Sequence, residues 1–173
     1  MRHALVVPVL VLAAACTGGG GGYGGPAPVE SILKNAAGQD VGRVTLRERS
    51  GRVEIRVRAT GMPPGEHGVH LHQAARCEGP AFQSAGGHLN PAGKKHGRLN
   101  PEGAHLGDLG NLTVGADGRA DVTLGPVGGT EAGLRALLGE QGIALVIHAD
   151  RDDERTDPTG NSGARIACAE LRP

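Results

Sequence analysis

The chain has 173 residues, its 18 Lys and Arg balance 18 Asp and Glu, and Tyr23 and Phe82 are its only Tyr, Phe or Trp residues. That length suits one folded domain with terminal extensions. A neutral balance with no Lys/Arg stripe leaves no electrostatic footprint for a polyanion, and two aromatics make no stacking platform, so nothing here argues for nucleic-acid binding.

The core must therefore come from Val, Leu, Ile and Ala. The 31 glycines and 11 prolines call for many turns, which favours an all-β fold of short strands over a helical bundle. In chain order, residues 1–15 combine a basic start at Arg2 with an apolar run and small residues, the outline of an export signal peptide. The run is too short to span a bilayer. Cys16 follows Ala13, Ala14 and Ala15 and resembles the lipidated cysteine of a bacterial lipobox, although the usual Leu sits one place early, at Leu12. Ordinary cleavage nearby, with Cys16 incidental, remains open. Residues 16–28 then form a Gly-rich flexible tether. The expected product is exported to the cell envelope or periplasm and meets the membrane only through its N-terminal lipid.

The folded domain spans residues 29–173. Within 52–59, Val53, Ile55 and Val57 alternate with charged residues, and Val44 and Leu46 repeat the pattern before Ser50-Gly51, so 42–47 and 52–59 read as a hairpin. Residues 111–114 and 120–124 flank Ala116-Asp117-Gly118, a second hairpin signal. Leu134, Leu137 and Leu138 suggest a short helix over 131–138, and 143–148 is a β-branched run. Several short strands with loops imply a sandwich or barrel.

In Val69-His70-Leu71-His72 a period of two sends the apolar residues to one face and both imidazoles to the other. Alone, that pattern more often marks an exposed polar strand face than a metal site. Ile147-His148 repeats it, so a third imidazole reaches the same face if the two strands are close. Five of the eight histidines fall between His70 and Asp108. His88, His96, His105 and Asp108 lie in loop chain broken by Gly86-Gly87, Asn90-Pro91 and Asn100-Pro101, which gains order chiefly by wrapping something. Three imidazoles and a carboxylate make a closed tetrahedral zinc site. Three or four imidazoles around His70 and His72 better suit copper.

These residues resemble the copper/zinc superoxide dismutases over nearly all of 41–171. The likeness runs through Gly68-Val69-His70-Leu71-His72, Gly86-Gly87-His88-Leu89-Asn90-Pro91, Lys95-His96-Gly97, His105-Leu106-Gly107-Asp108, His148 and Gly160-Asn161-Ser162-Gly163-Ala164-Arg165. Val69 and Leu89 stand where that family usually has aromatics, and Gln73 where it often has Glu. The family is a known sandwich architecture, so the resemblance implies an eight-stranded antiparallel Greek-key β-barrel or flattened sandwich with long metal-binding and electrostatic loops. It implies one copper ion on His70, His72, His88 and His148, and one zinc ion on His88, His96, His105 and Asp108, with His88 shared. The implied reaction disproportionates superoxide to dioxygen and hydrogen peroxide at copper, protecting the envelope, with His88 as proton carrier and Arg165 attracting and orienting the anion. Thr159 matches the channel threonine. Asp152 matches an outer carboxylate joining the free nitrogens of His70 and His96, and Cys77 and Cys168 match the intrasubunit disulfide.

A catalytically inactive copper-binding or metal-delivery module on the same fold is the alternative, because fold alone does not set function. Asp153 and Glu154 read as a solvated charge run. His3 and His67 receive no role, His67 being placed in the turn before the ligand strand. The scarcity of aromatics removes the usual interface anchors, so a monomer is expected, although homodimers occur in the family.

Overall fold

In a strand, residues of one parity share one face, and here that parity builds the core. Val53, Ile55, Val57 and Ala59 are buried, and Arg52, Arg56 and Arg58 between them are exposed. The structure, a computed structural model, describes residues 26–127 and 133–173. The expected export signal, Cys16 and most of the tether lie outside the described residues. The strands are β1 (Val29–Asn35), β2 (Asp40–Arg49), β3 (Arg52–Ala59), β4 (Gly65–His72), β5 (Asp108–Val114), β6 (Ala120–Leu124), β7 (Ile143–His148) and β8 (Arg165–Leu171), with one short helix, α1 (Gly133–Leu138). They form one sheet in the order β5-β4-β7-β8-β1-β2-β3-β6, every pair antiparallel, curled into a nearly closed barrel.

The first hairpin is β2–β3, in register from Gly42↔Ala59 to Arg49↔Arg52. The second is corrected. The turn after β5 is tight, with Gly115 N–H donating to Arg119 O at 2.8 Å, but β5 pairs only with β4 and β6 only with β3. The Asp117-Gly118 signal therefore marks a corner where the chain passes between the two ends of the sheet order. Residues 131–138 are helical over the described part, Gly133–Leu138, with Leu134, Leu137 and Leu138 buried. Glu48 Oε2 accepts the Leu134 N–H at 2.8 Å and ties the helix to β2.

The reading that no Lys/Arg stripe exists is also corrected. Register sets Arg43 opposite Arg58 and Arg49 opposite Arg52 on the outward face of β2 and β3, gathering arginines that alternation along each strand had spread out.

Outside the barrel wall a second, smaller core of Phe82, Ala85, Ala144, Val146 and Cys168 packs with Cys77. Cys77 and Cys168 are disulfide-bonded across 91 residues of sequence. On a chain-entropy account, closing such a loop stabilises the fold by about 4–5 kcal/mol. It pins the loop after β4 to β8 and so roofs the outward face of β4 and β7.

Candidate metal centre

β4 and β7 are neighbours, with Val69↔Ile147 and Leu71↔Leu145 directed into the core, and His70↔Val146 and His72↔Ala144 outward. A register shift at the end of β7 leaves His148 opposite Arg165. The long loop between β4 and β5 is threaded onto this face by its backbone. Leu71 N–H donates to Gly107 O at 2.9 Å, Leu89 N–H to Leu71 O at 2.8 Å, and Gly107 N–H to Leu89 O at 2.9 Å. A Cβ at Gly107 would run into the Leu71 carbonyl oxygen, so the approach requires glycine. A bridge between His72 and His88 completes the seam.

The imidazoles meet in one arrangement because their outer nitrogens are already engaged. His70 Nε2 donates to Asp152 Oδ2 at 2.7 Å, His72 Nδ1 to Gly86 O at 2.9 Å, and His148 Nδ1 to Gly163 O at 3.2 Å. An N–H on one ring nitrogen leaves a lone pair on the other. Those other atoms, His70 Nδ1, His72 Nε2 and His148 Nε2, are buried without hydrogen-bond partners, as is His88 Nε2. The four residues can bring ligand atoms within 4.8 Å of one another. Buried orphan acceptors are costly, and a metal cation satisfies all four at once.

A second focus lies on the other side of His88. Asp108 Oδ1 is 3.0 Å from His88 Nδ1, 3.0 Å from His96 Nδ1 and 3.2 Å from His105 Nδ1, and His105 Nδ1 is 3.3 Å from His88 Nδ1. Ligands on a tetrahedral ion with bonds of about 2.0 Å stand about 3.3 Å apart, so these donors fit such an ion. By the 4.8 Å criterion the second group is His70, His88, His96 and Asp108; the measured Nδ1 contacts bring His105 to the same carboxylate.

Electrostatics separates the two foci. Burial lowers the pKa of His72 to about 2, His88 to about 4 and His148 to about 3, outweighing their hydrogen bonds. His70 is lowered for the same reason despite Asp152. The first group is thus four neutral imidazoles, the form that binds metal. Burial also opposes charge on His96, but Asp108 and Asp152 prevail and raise it to about 9. Burial pushes Asp108 and Asp152 upward, yet hydrogen bonds from the imidazoles hold both well below the usual carboxylate range.

Asp152 joins the halves: Oδ2 meets His70 and Oδ1 meets His96 Nε2 at 3.0 Å. At Gly160, with φ +63°, a Cβ would collide with Asp152 Oδ1 and His96. Arg165 donates through Nη1 to Phe82 O and through Nη2 to Gly86 O, both at 2.7 Å, so it shares an acceptor with His72. Thr159 is exposed on the loop between β7 and β8, its carbonyl accepting from Ser162.

Two placements differ from the sequence reading. His67 lies within β4, buried, its ring nitrogens 2.8 Å from His148 O and 2.8 Å from Pro63 O. Carrying the inward parity of Val69 and Leu71 back two residues finds it. Glu154 is no solvated charge: it binds Arg98 in a bidentate pair at 2.8 Å, and its N–H donates to Asp152 Oδ1. Asp153 accepts from Arg155, Thr156 and Asn161 and shapes the same loop.

Residues 41–171 match the family described as "Copper/zinc superoxide dismutase (SODC)". The chain belongs to the copper/zinc superoxide dismutases. It is similar to "Superoxide dismutase [Cu-Zn] 2" of Aquifex aeolicus, 44% identical over 94% of this chain and 96% of that one. It is also similar to the "Superoxide dismutase-like protein YojM" of Bacillus subtilis, 43% identical over 80% of this chain and 73% of that protein. Among solved structures, the Cu/Zn superoxide dismutase from Brucella abortus superposes with a TM-score of 0.69 at 29% identity, covering 84% of this chain and 100% of the other. A copper/zinc superoxide dismutase is an oxidoreductase, and the two clusters around His88 are where this member can hold metal ions.

Proposed function

We propose that His70, His72, His88 and His148 hold copper, that His88, His96, His105 and Asp108 hold zinc, and that the pair disproportionates superoxide. The carrying observation is the direction of the lone pairs: each outer nitrogen of His70, His72, His96 and His148 already has an acceptor, so the inner nitrogens converge on two points that share His88. Assigning His105 rather than His70 to zinc rests on its 3.2 Å approach to Asp108, with His70 Nδ1 kept for the first group. When bound, copper supplies the one-electron oxidation and reduction of superoxide, and zinc polarises the shared imidazole.

The protein's part is positioning and proton transfer. His88 turns its unpartnered Nε2 toward the first cluster and its Nδ1 toward Asp108 of the second, so it would be the residue common to both ions, and Nε2 is the atom at which it would hold and pass on a proton. Asp152 keeps His70 and His96 in the required tautomers. Thr159 is assigned to the rim of the approach channel. An inactive copper-binding or metal-delivery module would tolerate loss of a ligand or of Arg165, and this chain keeps every one.

Arg165 supplies a fixed cationic fork beside His148 for a small anion. Arg165→Lys is expected to retain part of the rate and Arg165→Glu to lose most of it at matched copper content. Glutamate turning over as fast as arginine would remove Arg165 from the mechanism.

Export to the envelope is supported by the Cys77–Cys168 disulfide, since such bonds persist in oxidising compartments. We take the chain as a monomer with Cys16 lipidated. Cys16→Ser is then expected to move the protein from the membrane fraction to the soluble one, and equal partition of the two chains would refute the lipid.

A further inference from the structure

The outward face of β2 and β3 carries Arg43, Arg47, Arg49, Arg52, Arg56 and Arg58, all exposed. Glu30, Glu54 and Asp121 are the carboxylates paired with this set. Arg43 meets Glu30 at 3.1 Å, Arg56 meets Asp121 at 2.7 Å, Arg58 shares Asp121 at 3.5 Å, and Arg49 meets Glu54 at 3.6 Å. Arg47 and Arg52 make no ion pair among the described residues. Like charges set directly opposite across a strand pair destabilise it, yet Arg43 faces Arg58 and Arg49 faces Arg52. Arg43, Arg58 and Arg49 each have a carboxylate to offset this, whereas Arg52 faces Arg49 with no carboxylate partner of its own. A cavity on the same face is lined by Arg47, Arg49, Arg56 and Arg58, by the hydroxyl-bearing Thr45 and Thr123, and by the carboxylates Glu30 and Glu54, so the arginines outnumber the acids there by two. Guanidinium forks beside hydroxyls are suited to phosphate oxygens.

Position in the barrel narrows the partner. In the order β5-β4-β7-β8-β1-β2-β3-β6, β2 is four strands from β4 and β3 is four from β7, so in a ring of eight the arginine face looks away from the metal centre. It is no steering device for superoxide. The chain enters the domain beside it, because Val29, the first residue of β1, is paired with Leu46 of β2. Twelve residues, 17–28, separate Cys16 from β1 and reach at most about 40 Å when extended. A surface at which Cys16 is anchored is therefore within reach of the arginines.

We propose that this face docks on a bilayer containing anionic phospholipid, the guanidinium groups meeting headgroup phosphates while the metal centre faces away from the membrane. The contact does not require lipidation of Cys16, and it stands or falls separately from the metal assignment.

The test uses the full chain carrying Cys16→Ser, loaded with copper and zinc, and the same chain with Arg47→Gln and Arg52→Gln. Neither added substitution removes an ion pair, so superoxide turnover should be equal in the two and reports an intact fold. Each cationic side chain near an anionic leaflet adds about fivefold in affinity. The parent is expected to bind vesicles one-third phosphatidylglycerol, to leave them as salt rises, and to ignore vesicles of phosphatidylcholine alone. The double variant should bind about twenty-five-fold more weakly. Equal binding of the two chains, or equal binding to both vesicle types, would overturn the proposal. Tighter binding to duplex DNA than to the anionic vesicles at the same salt would also overturn it, in favour of a nucleic-acid surface.

Discussion

Replacing His148 with alanine is expected to abolish superoxide turnover while zinc stays bound. His148 Nε2 is one of four orphaned inner nitrogens in the first cluster, and its Nδ1 is committed to Gly163 O. Alanine removes one of the four proposed donors to copper. None of the Asp108 contacts with His88, His96 and His105 involves this side chain. Loss of a hydrogen-bond partner behind a ligand costs about 10–100-fold in activity or metal affinity, and loss of the ligand should exceed that range. Stopped-flow assay alongside metal analysis separates the outcomes. Turnover within tenfold of the parent would remove His148 from the copper site, and loss of zinc would show that the two clusters are not independently built.

Asp108→Ala should cause the larger structural loss. Besides facing three imidazoles through Oδ1, its carboxylate accepts the Gly97 N–H at 2.8 Å and the His105 N–H at 2.9 Å through Oδ2. It supplies the only negative charge among the proposed zinc ligands and also holds the loop backbone. Removing it strands buried imidazoles and two N–H groups, a class of change that costs about 3–5 kcal/mol. Zinc content should fall to background and protease should nick the segment 79–100, which is expected to stay intact in the parent. Unchanged zinc and unchanged resistance would together refute the assignment.

Much of this was legible because strand periodicity is a strong signal where apolar and charged residues alternate. The β2–β3 hairpin and the outward direction of His70 and His72 follow from it directly. Pairing between distant segments does not. The turn at Asp117-Gly118 is a true turn, yet nothing local says that β5 will choose β4 and β6 will choose β3. The arginine face was hidden for the same reason: register assembles it across two strands, whereas a stripe sought along one strand is interrupted at every second residue. Glu154 was misjudged because its Arg98 partner lies 56 residues away. His67 was misjudged for want of extending a correct pattern by one period.

The proposed ligand set and its division between two ions, with His88 shared, were both implied by the resemblance, whereas the geometry behind that division needed coordinates. Sequence separation gives no reason for His88 to stand between His72 and Asp108. The bridge to His72 on one side and the 3.0 Å approach to Asp108 on the other supply it.

The measurement that bears most directly on the shared-histidine centre is stepwise copper addition to the zinc-loaded chain, with superoxide disappearance followed at each step. Turnover should rise linearly with copper and stop at one equivalent, and the same titration of His88→Ala should give no comparable rate. Turnover absent at full copper and zinc occupancy, or unaffected by loss of His88, would contradict catalysis at this pair of sites.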